Sequence, residues 1–182
     1  MKKQKLREIY KQQRNSLSEK QIQELQENIY QQVYNLDISK VNNVHLFLSM
    51  PKFKEIDTTP IITYFRNKNK RIVVSKCNFE DKTLSHFYYD ENTVLVLNKF
   101  GVPEPIDAEV VLEEELDLIF VPLLISDIKN YRVGYGKGFY DRFLSSCRKD
   151  AKLIGLNFFK PIEEIEDINE FDIPLQQVIY PK

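Results

Sequence analysis

Tryptophan is absent from the 182 residues, and only two cysteines, two histidines and five glycines are present. Two cysteines, Cys77 and Cys147, are too few for a disulfide framework, which favours a reduced intracellular setting. Their separation also does not match the ligand spacing of a zinc site. We therefore expect neither a disulfide-rich secreted protein nor a zinc module.

Long apolar runs are also missing. The longest covers residues 118–125 and contains Pro122, so it falls far short of the roughly 20 residues that span a bilayer. The N-terminus is basic but lacks the apolar core of a signal peptide, and a mitochondrial transit peptide is the alternative for it. These observations predict a cytoplasmic protein without a membrane partner.

Neither sign of charge dominates, since 26 Lys and Arg stand against 27 Asp and Glu, for a net charge of -1. No global field therefore attracts the chain to nucleic acid. The charge is nevertheless unevenly spread, because residues 1–14 hold six bases and one acid, whereas residues 104–118 hold seven acids and no base. We interpret the first block as a candidate anion-binding segment and the second as a solvated loop.

Hydrophobic spacing predicts the order of helices and strands. Two N-terminal helices are expected, the second beginning at an N-cap, Ser18, with Gln21 completing a capping box. A third helix is expected to begin near Thr58 or Thr59, a fourth covers residues 138–149, and a short acidic one follows Pro161. Strand-like runs cover residues 44–50, 71–77, 84–89, 116–122, 152–158 and 177–180.

This alternation of strands and helices predicts one α/β domain over residues 1–182. Its expected architecture is a three-layer sandwich with a mostly parallel, Rossmann-like central sheet and additional N-terminal helices. Apolar residues make up 42% of the chain, which is enough for a core at this size. Ligands of such sheets bind at the carboxyl ends of the strands, which directs attention to the loop after residues 116–123.

Three of the five glycines, Gly134, Gly136 and Gly138, fall within five positions of that region. Alternate glycines allow a tight backbone turn that brings N–H groups close to a ligand, and a following helix N-terminus adds partial positive charge. Lys137 and Arg132 add two full charges. The segment therefore has the features of a phosphate cradle.

The spacing matches neither a Walker A motif nor the dinucleotide fingerprint, so a plain tight loop is the alternative. Asp141 favours phosphate binding, since its carboxylate is placed to reach a Mg²⁺ ion on the phosphates. One loop alone supplies too few charge-assisted hydrogen bonds for micromolar affinity. Lys3, Arg7, Lys11 and Arg14 share one helical face, and we expect part of this stripe to close over the same phosphates. A solvated basic face is the alternative.

A second candidate loop, residues 48–58, joins a strand to a helix. Glu55 and Asp57 can accept protons or hold the N–H groups of a substrate, although Asp57 alone can equally be a helix cap. His45 and His86 are far apart in the sequence and lie in strand-like runs, which favours structural roles. No nucleophile elbow is present.

These segments resemble the 5-formyltetrahydrofolate cyclo-ligase family. Residues 121–144 closely follow the family's glycine-rich signature, and residues 3–7 are similar to its N-terminal ATP-contacting segment. Residues 47–50 and 55–58 are similar to its folate-contacting strand and loop, and residues 169–172 to its C-terminal motif. The matches extend over nearly the whole chain in the right order.

The resemblance implies that ATP, with Mg²⁺, drives 5-formyltetrahydrofolate to 5,10-methenyltetrahydrofolate through a phosphorylated formyl group, releasing ADP and phosphate. The ATP contacts that it implies are Lys3, Gln4, Lys5, Leu6, Arg7, Arg132, Val133, Gly134, Tyr135, Gly136, Lys137, Gly138, Phe139 and Tyr140. The other implied site residues are Lys137 and Arg132 for catalysis, Leu48 and Glu55 for folate, and Asp141 and Asp172 for magnesium. We expect a monomer whose partner is this small-molecule substrate.

The chain also departs from the family pattern. Residues 51–54 make a longer loop than is usual, and Ser126, Asn130 and Gln176 replace an aromatic, a glycine and an acid respectively. Two other hypotheses fit the same pattern: an enzyme of sugar-phosphate or coenzyme A chemistry on a similar scaffold, and a non-catalytic binding protein built on the N-terminal helices.

Overall fold

The computed structural model of the protein describes residues 1–98 and 101–182. Within these residues the helices are α1 (Lys3–Ser16), α2 (Glu19–Tyr34), α3 (Thr59–Asn67) and α4 (Phe139–Ser146). The strands are β1 (Asn43–His45), β2 (Arg71–Asn78), β3 (Thr83–Tyr88), β4 (Val94–Leu97), β5 (Pro103–Ile106), β6 (Val110–Val111), β7 (Leu118–Pro122), β8 (Ile125–Ser126), β9 (Arg132–Val133), β10 (Lys152–Leu156) and β11 (Gln177–Ile179).

The central sheet has seven strands in the order β11-β10-β7-β1-β2-β3-β6. The five strands from β11 to β2 pair in parallel, whereas β3 pairs antiparallel with both β2 and β6. The predicted mostly parallel sheet is therefore confirmed, and β2 and β3 form an antiparallel hairpin. β4 with β5 and β8 with β9 form two small sheets of their own.

Helices cover both faces of this sheet. One core cluster joins α2 and α3 to the sheet and includes Ile29, Phe65 and Phe120, each 0% exposed. A second cluster lies on the opposite face, where Phe143 and Leu144 of α4 pack against strand residues. Because every side chain of β7 up to Val121 is buried, the strand runs through the middle of the sandwich, and the three-layer prediction is confirmed.

The sheet changes winding direction between β1 and β7. The chain leaves β1 through α3 towards β2 on one side, and it leaves β7 through α4 towards β10 on the other. Because the two strands are parallel neighbours, their carboxyl ends open a crevice at this switch point, the usual ligand position in such sheets. The loops after β1 and β7 are the two that the sequence singled out.

Two predicted element ends were wrong. The strand expected over residues 44–50 ends at His45, since the Phe47 carbonyl accepts a hydrogen bond from the Thr58 hydroxyl at 2.6 Å instead of from a strand. α4 ends at Ser146 rather than Lys149, since the chain is extended at Cys147.

The short acidic helix expected after Pro161 is not formed. Ile162 instead pairs in parallel with Asp127, and its N–H donates to the Ser126 carbonyl at 2.9 Å. An extended segment can make these bonds to its neighbour and a helical one cannot. No helix in the described part of the chain is long and apolar enough to cross a membrane.

The acidic segment 104–118 is more ordered than the solvated loop that was expected. It contains β5, β6 and a 3₁₀ turn, Glu113–Glu115. Asp117 is buried, accepts the N–H groups of Asn42 and Asn43, and pairs with Arg148. A carboxylate with such partners has its hydrogen-bonding capacity satisfied inside the fold. At least one acid of this segment, Asp117, therefore has a structural role.

Candidate active site

The glycine loop (residues 134–138) connects β9 to the N-terminus of α4. Gly136 and Gly138 adopt φ values of +90° and +76°, which side-chain-bearing residues rarely adopt. Gly136, Lys137 and Gly138 are exposed, and a Cβ added to Gly134 would meet no heavy atom within 4 Å. The loop therefore has open space for an anion beside its backbone.

The basic stripe of α1 faces this loop. Arg7 Nε donates to the Gly134 carbonyl at 3.0 Å, and Arg14 Nη1 donates to the Tyr135 hydroxyl, also at 3.0 Å. Lys11 Nζ lies 5.6 Å from the centroid of the Tyr135 ring. The stripe therefore lies against the loop, and a purely solvated face is wrong for these three side chains. That the stripe closes over phosphates stays a prediction.

The side chains implied by the family resemblance separate into three groups. Leu6 and Val133 are fully buried in a hydrophobic cluster, and Phe139 and Tyr140 are partly buried against another. Gln4 and Lys5 are exposed on α1 away from the stripe, and Lys5 pairs with Glu8 at 3.6 Å. The third group is Lys3, Arg7, Tyr135, Lys137 and Arg132, of which Tyr135 already bonds to Arg14 and Glu55 through its hydroxyl.

Arg132 links the loop to the C-terminal segment. Its guanidinium donates to Asp141 Oδ1 at 2.7 Å and to the Ile173 carbonyl at 2.5 Å. Lys3 Nζ binds both carboxylate oxygens of Asp172, the nearer at 2.5 Å. Two residues predicted to hold magnesium thus meet near Arg132, although more than 30 positions separate them, and each is ion-paired with a cation.

The buried position of Arg132 lowers the pKa of its guanidinium, and the charges of Asp141 and Asp172 oppose that effect. Its Coulombic interaction with both carboxylates indicates that all three charges share one small region. Lys3 and Arg132 balance the two acids, so Arg7 and Lys137 add an excess of positive charge. This excess matches the net negative charge of a magnesium–nucleotide complex.

Asp141 has the properties of a magnesium ligand. Its Oδ1 accepts from Arg132 and from the Ile173 N–H, while its Oδ2 makes no hydrogen bond with the described residues. Within residues 1–98 and 101–182 no group of three or more His, Cys, Asp or Glu is placed to hold a metal. The donor set fits Mg²⁺ held by one or two carboxylates together with phosphate oxygens, and does not form an all-protein cage.

The β1–α3 loop (residues 46–58) faces the glycine loop across the crevice. Glu55 is 8% exposed, and its oxygens accept from the Met50 N–H at 2.8 Å and from the Tyr135 hydroxyl at 2.7 Å. Burial raises the pKa of Glu55, while Tyr135, Met50 and the charge of Arg14 lower it. Leu48 is half-buried on the same loop.

The contacts of Asp57 favour the alternative, structural interpretation. Its carboxylate accepts the Thr59 N–H at 2.9 Å at the beginning of α3, as a helix-capping side chain does. Thr58 occupies the N-cap position by its backbone but makes no capping hydrogen bond with its hydroxyl. Asp57 therefore organises the loop end, and Glu55 is the carboxylate that points towards Tyr135.

The two histidines meet in the fold although they are far apart in the sequence. The Ser75 hydroxyl bridges them, at 2.7 Å from His45 Nε2 and 3.0 Å from His86 Nδ1. Both rings are at most 2% exposed and pack against Phe143 of α4. The expected structural role fits this burial, but no sequence signal indicated that the two belong to one cluster.

Three of the four departures from the family pattern have local explanations, and nothing in the structure explains Ser126. Asn130 has φ +64°, a left-handed conformation that asparagine tolerates. Gln176 accepts the Leu153 N–H and donates to the Ala151 carbonyl at 3.0 Å, a pair of bonds that an ionised acid cannot make. In the longer loop, Lys54 Nζ donates to the Asn15 and Leu17 carbonyls at 2.7 Å and so caps α1.

Comparison with known proteins agrees with this geometry. The sequence model of the 5-formyltetrahydrofolate cyclo-ligase family matches residues 1–181. The 5-formyltetrahydrofolate cyclo-ligase of Escherichia coli K12 is 30% identical over 178 residues, which cover 95% of this chain and 97% of that protein. A probable 5-formyltetrahydrofolate cyclo-ligase of Schizosaccharomyces pombe is 31% identical over 166 residues, covering 88% and 81%.

A solved structure gives the same result. The NMR structure of Aquifex aeolicus 5,10-methenyltetrahydrofolate synthetase superposes with a TM-score of 0.83 at 29% identity, over 98% of this chain and 89% of that one. The Mycoplasma pneumoniae 5,10-methenyltetrahydrofolate synthetase shares the fold, with a TM-score of 0.77 at 20% identity and complete coverage of both chains. The chain belongs to the 5-formyltetrahydrofolate cyclo-ligase family.

Proposed function

We propose that this protein uses ATP to convert 5-formyltetrahydrofolate into 5,10-methenyltetrahydrofolate, with release of ADP and phosphate. The observation that carries the proposal is the crevice between β1 and β7. There an exposed glycine loop lined by cations faces a buried carboxylate, Glu55, bound to the same loop through Tyr135. One site with an anion-binding side and a carboxylate side suits a nucleotide and a folate together.

The chemistry requires activation of a poor leaving group. The formyl oxygen attacks the γ-phosphorus of ATP, the bond to the bridging oxygen breaks, and ADP leaves. N10 then attacks the formyl carbon, the ring closes, and the oxygen departs as part of inorganic phosphate while N10 loses its proton. Such phosphoryl transfer depends mainly on positioning and on stabilisation of charge.

The cations of the crevice have distinct tasks in this scheme. We infer that the backbone of residues 134–138, with Arg7 and Lys3, holds the phosphates, and that Lys137 and Arg132 stabilise the charge that develops on the transferred group. Lys137 suits that task because its exposed side chain is not engaged by the described residues. Arg132 is held by Asp141, which keeps its guanidinium at the edge of the loop.

Magnesium would be held by Asp141 and Asp172 together with phosphate oxygens. When bound, the ion neutralises phosphate charge and orients the triphosphate. Asp172 accepts two bonds from Lys3 and one from the Asn169 N–H, so metal binding would require the pair with Lys3 to rearrange. Asp141 has an oxygen that the described residues leave unengaged. The chain's own residues therefore favour Asp141 as the principal ligand.

Glu55 is proposed to hold the N–H groups of the pterin, with Leu48 packing beside it. A carboxylate with one hydrogen bond on each oxygen has acceptor capacity left for a ligand on both. We also propose that residues 1–182 act as one monomeric, cytoplasmic domain. The unpaired state of Cys77 and Cys147 supports a reducing compartment.

An absorbance assay for methenyltetrahydrofolate tests the proposal. Turnover of 5-formyltetrahydrofolate is expected only with ATP and magnesium both present, with one phosphate released per methenyl product. ATP hydrolysis that does not depend on the folate would contradict the assigned reaction. Calorimetric titration of ATP with magnesium, in the absence of folate, separately tests the nucleotide side of the site.

A further inference from the structure

We propose that Arg14 is a positioning residue that orients the carboxylate of Glu55 through the hydroxyl of Tyr135. The inference rests on the role proposed for Glu55 in binding folate. If Arg14 has this role, α1 acts on both sides of the site: it supplies cations to the nucleotide side and sets the geometry of the carboxylate on the folate side.

The three residues form a relay with a defined direction. Arg14 Nη1 lies 3.0 Å from the Tyr135 hydroxyl, which lies 2.7 Å from Glu55 Oε1. A guanidinium only donates, and an ionised carboxylate only accepts. The single hydroxyl proton of Tyr135 must therefore point to Glu55, while its oxygen accepts from Arg14.

The relay leaves Glu55 little freedom. Its second oxygen, Oε2, accepts the Met50 N–H at 2.8 Å, so a separate donor holds each oxygen. The remaining acceptor directions of both oxygens are then fixed relative to the glycine loop and the β1–α3 loop. A reduced pterin presents adjacent N–H donors on one edge, which is the pattern that such a fixed carboxylate can bind.

Arg14 is anchored on the sheet rather than on a partner acid. Its Nη2 donates to the Leu123 carbonyl at 2.5 Å, beyond the end of β7, and its guanidinium lies 5.9 Å from the Phe158 ring. The side chain is 4% exposed, and its Nε has no hydrogen-bond partner in the described part of the chain. Burying a cation carries a desolvation cost, and a role in positioning the site is a reason for the chain to keep it there.

The electrostatics agree with the geometry. The positive charge of Arg14 lowers the pKa of Glu55, which burial raises, and the hydrogen bond from Tyr135 acts in the same direction as Arg14. The titratable and charged groups that face Glu55 are Arg14 from α1, Tyr135 from the glycine loop and Tyr140 from α4. Loss of either member of the relay therefore raises the pKa of Glu55.

Steady-state kinetics of the full chain test the proposal with Arg14→Met, Tyr135→Phe and Glu55→Gln. We expect all three to raise the KM for 5-formyltetrahydrofolate at least fivefold, with a smaller change in the KM for ATP. Because Arg14 acts through Tyr135, the double variant R14M/Y135F is expected to be no worse than the poorer single variant. Arg14→Lys, which keeps a donor, is expected to recover part of the affinity.

The pH profile provides a readout that a purely structural role would not change. In R14M and Y135F the acidic limb of kcat/KM is expected to move to higher pH, because a larger share of Glu55 is protonated at each acidic pH. Arg66→Met is the matched control. Arg66 likewise donates to a backbone carbonyl, that of Tyr89, and lies over a tyrosine ring, but it is on α3, away from the crevice.

The outcomes separate this inference from the proposed function. If Glu55→Gln raises the folate KM while R14M and Y135F leave both that KM and the acidic limb unchanged, the inference is overturned and the role of Glu55 stands. If Glu55→Gln itself has no effect on the folate KM, the proposed role of Glu55 fails and the inference fails with it.

Discussion

Lys137 differs from the other cations of the crevice, because its side chain makes no hydrogen bond or ion pair with residues 1–98 or 101–182. Lys137→Ala is therefore expected to remove most ATP-dependent turnover, by a factor of 100 or more, since a removed charge at the reacting phosphate costs about 3 kcal/mol. The free energy of unfolding is expected to change by less than about 0.5 kcal/mol. The absorbance assay and urea denaturation measure the two quantities.

Lys149→Ala is the matched control for this variant. Lys149 is also an exposed lysine, but it follows the other end of α4. Its replacement is expected to leave both turnover and stability unchanged. Wild-type turnover of Lys137→Ala would contradict the proposed role of this side chain.

Comparison of Gly136→Ala with Gly134→Ala distinguishes the effect of backbone strain from the effect of lost space for the ligand. A Cβ on Gly136 would lie 3.1 Å from Arg7 Nε, and its φ of +90° strains any side chain. Gly136→Ala is thus expected to lower the free energy of unfolding by about 1–2 kcal/mol and to weaken ATP binding. Denaturation and calorimetry of the purified variant measure these effects.

Gly134→Ala is the comparison, because its Cβ would enter open space. We expect its stability to match that of the wild type while the KM for ATP rises, since the added methyl group occupies room that the phosphates need. Unchanged ATP affinity in Gly134→Ala would argue against close approach of the phosphates at this position.

At the scale of elements, the junction of α1 and α2 was predictable from the sequence alone. The Ser18 hydroxyl accepts the Gln21 N–H, and the Gln21 side chain accepts the Ser18 N–H at 2.9 Å, which completes the predicted capping box. Both bonds are local, so four residues contain all the necessary information. Ser18→Ala is expected to lower the free energy of unfolding by about 1 kcal/mol.

Turnover of Ser18→Ala is expected to stay at the wild-type level, because the Ser18 hydroxyl bonds within the capping box rather than to the crevice loops. Urea denaturation and the absorbance assay measure both properties on the same sample. Ser16→Ala is a suitable control, since Ser16 is also exposed but its hydroxyl donates to a carbonyl within its own helix. Equal stability of Ser18→Ala and the wild type would contradict the capping assignment.

Element ends were predicted less well, because their partners lie far away in the sequence. β1 ends early through a bond between Phe47 and Thr58, and Ile162 is extended because it pairs with β8–β9 residues. Local hydrophobic spacing carries no information about such contacts. The contact of the α1 stripe with the glycine loop was foreseen from charge and spacing, but its link from Arg14 through Tyr135 to Glu55 was not.

For the molecule as a whole, the buried histidine pair predicts the response to acid. Burial lowers the pKa of His45, and it lowers that of His86 to about 4. Glu113 lies 3.7 Å from His86 Nε2, too far for a hydrogen bond that would offset burial. The unfolded chain takes up protons on these rings below a pH of about 6.5, whereas the folded chain does not.

The free energy of unfolding is therefore expected to be fully maintained above about pH 6.5 and to decrease from there towards pH 4. Within this range each histidine contributes up to about 1.4 kcal/mol per pH unit to the decrease in the free energy of unfolding. His86→Gln keeps a polar group near Ser75 but takes up no proton, so the slope is expected to be smaller in this variant. Urea denaturation at half-unit steps of pH measures this slope. An unchanged slope in His86→Gln would contradict the assignment of acid sensitivity to the buried histidines.

The sequence by itself determined the α/β class and the parallel sheet, and it predicted phosphate binding by residues 132–141. Periodicity, capping and glycine spacing are local properties, so the printed order of residues is sufficient for them. Only the tertiary structure decided which groups meet across the crevice. Arg14, Tyr135 and Glu55 are brought together because β1 and β7 are parallel neighbours whose loops and α1 converge at one switch point, and strand order is set by packing of the whole sheet.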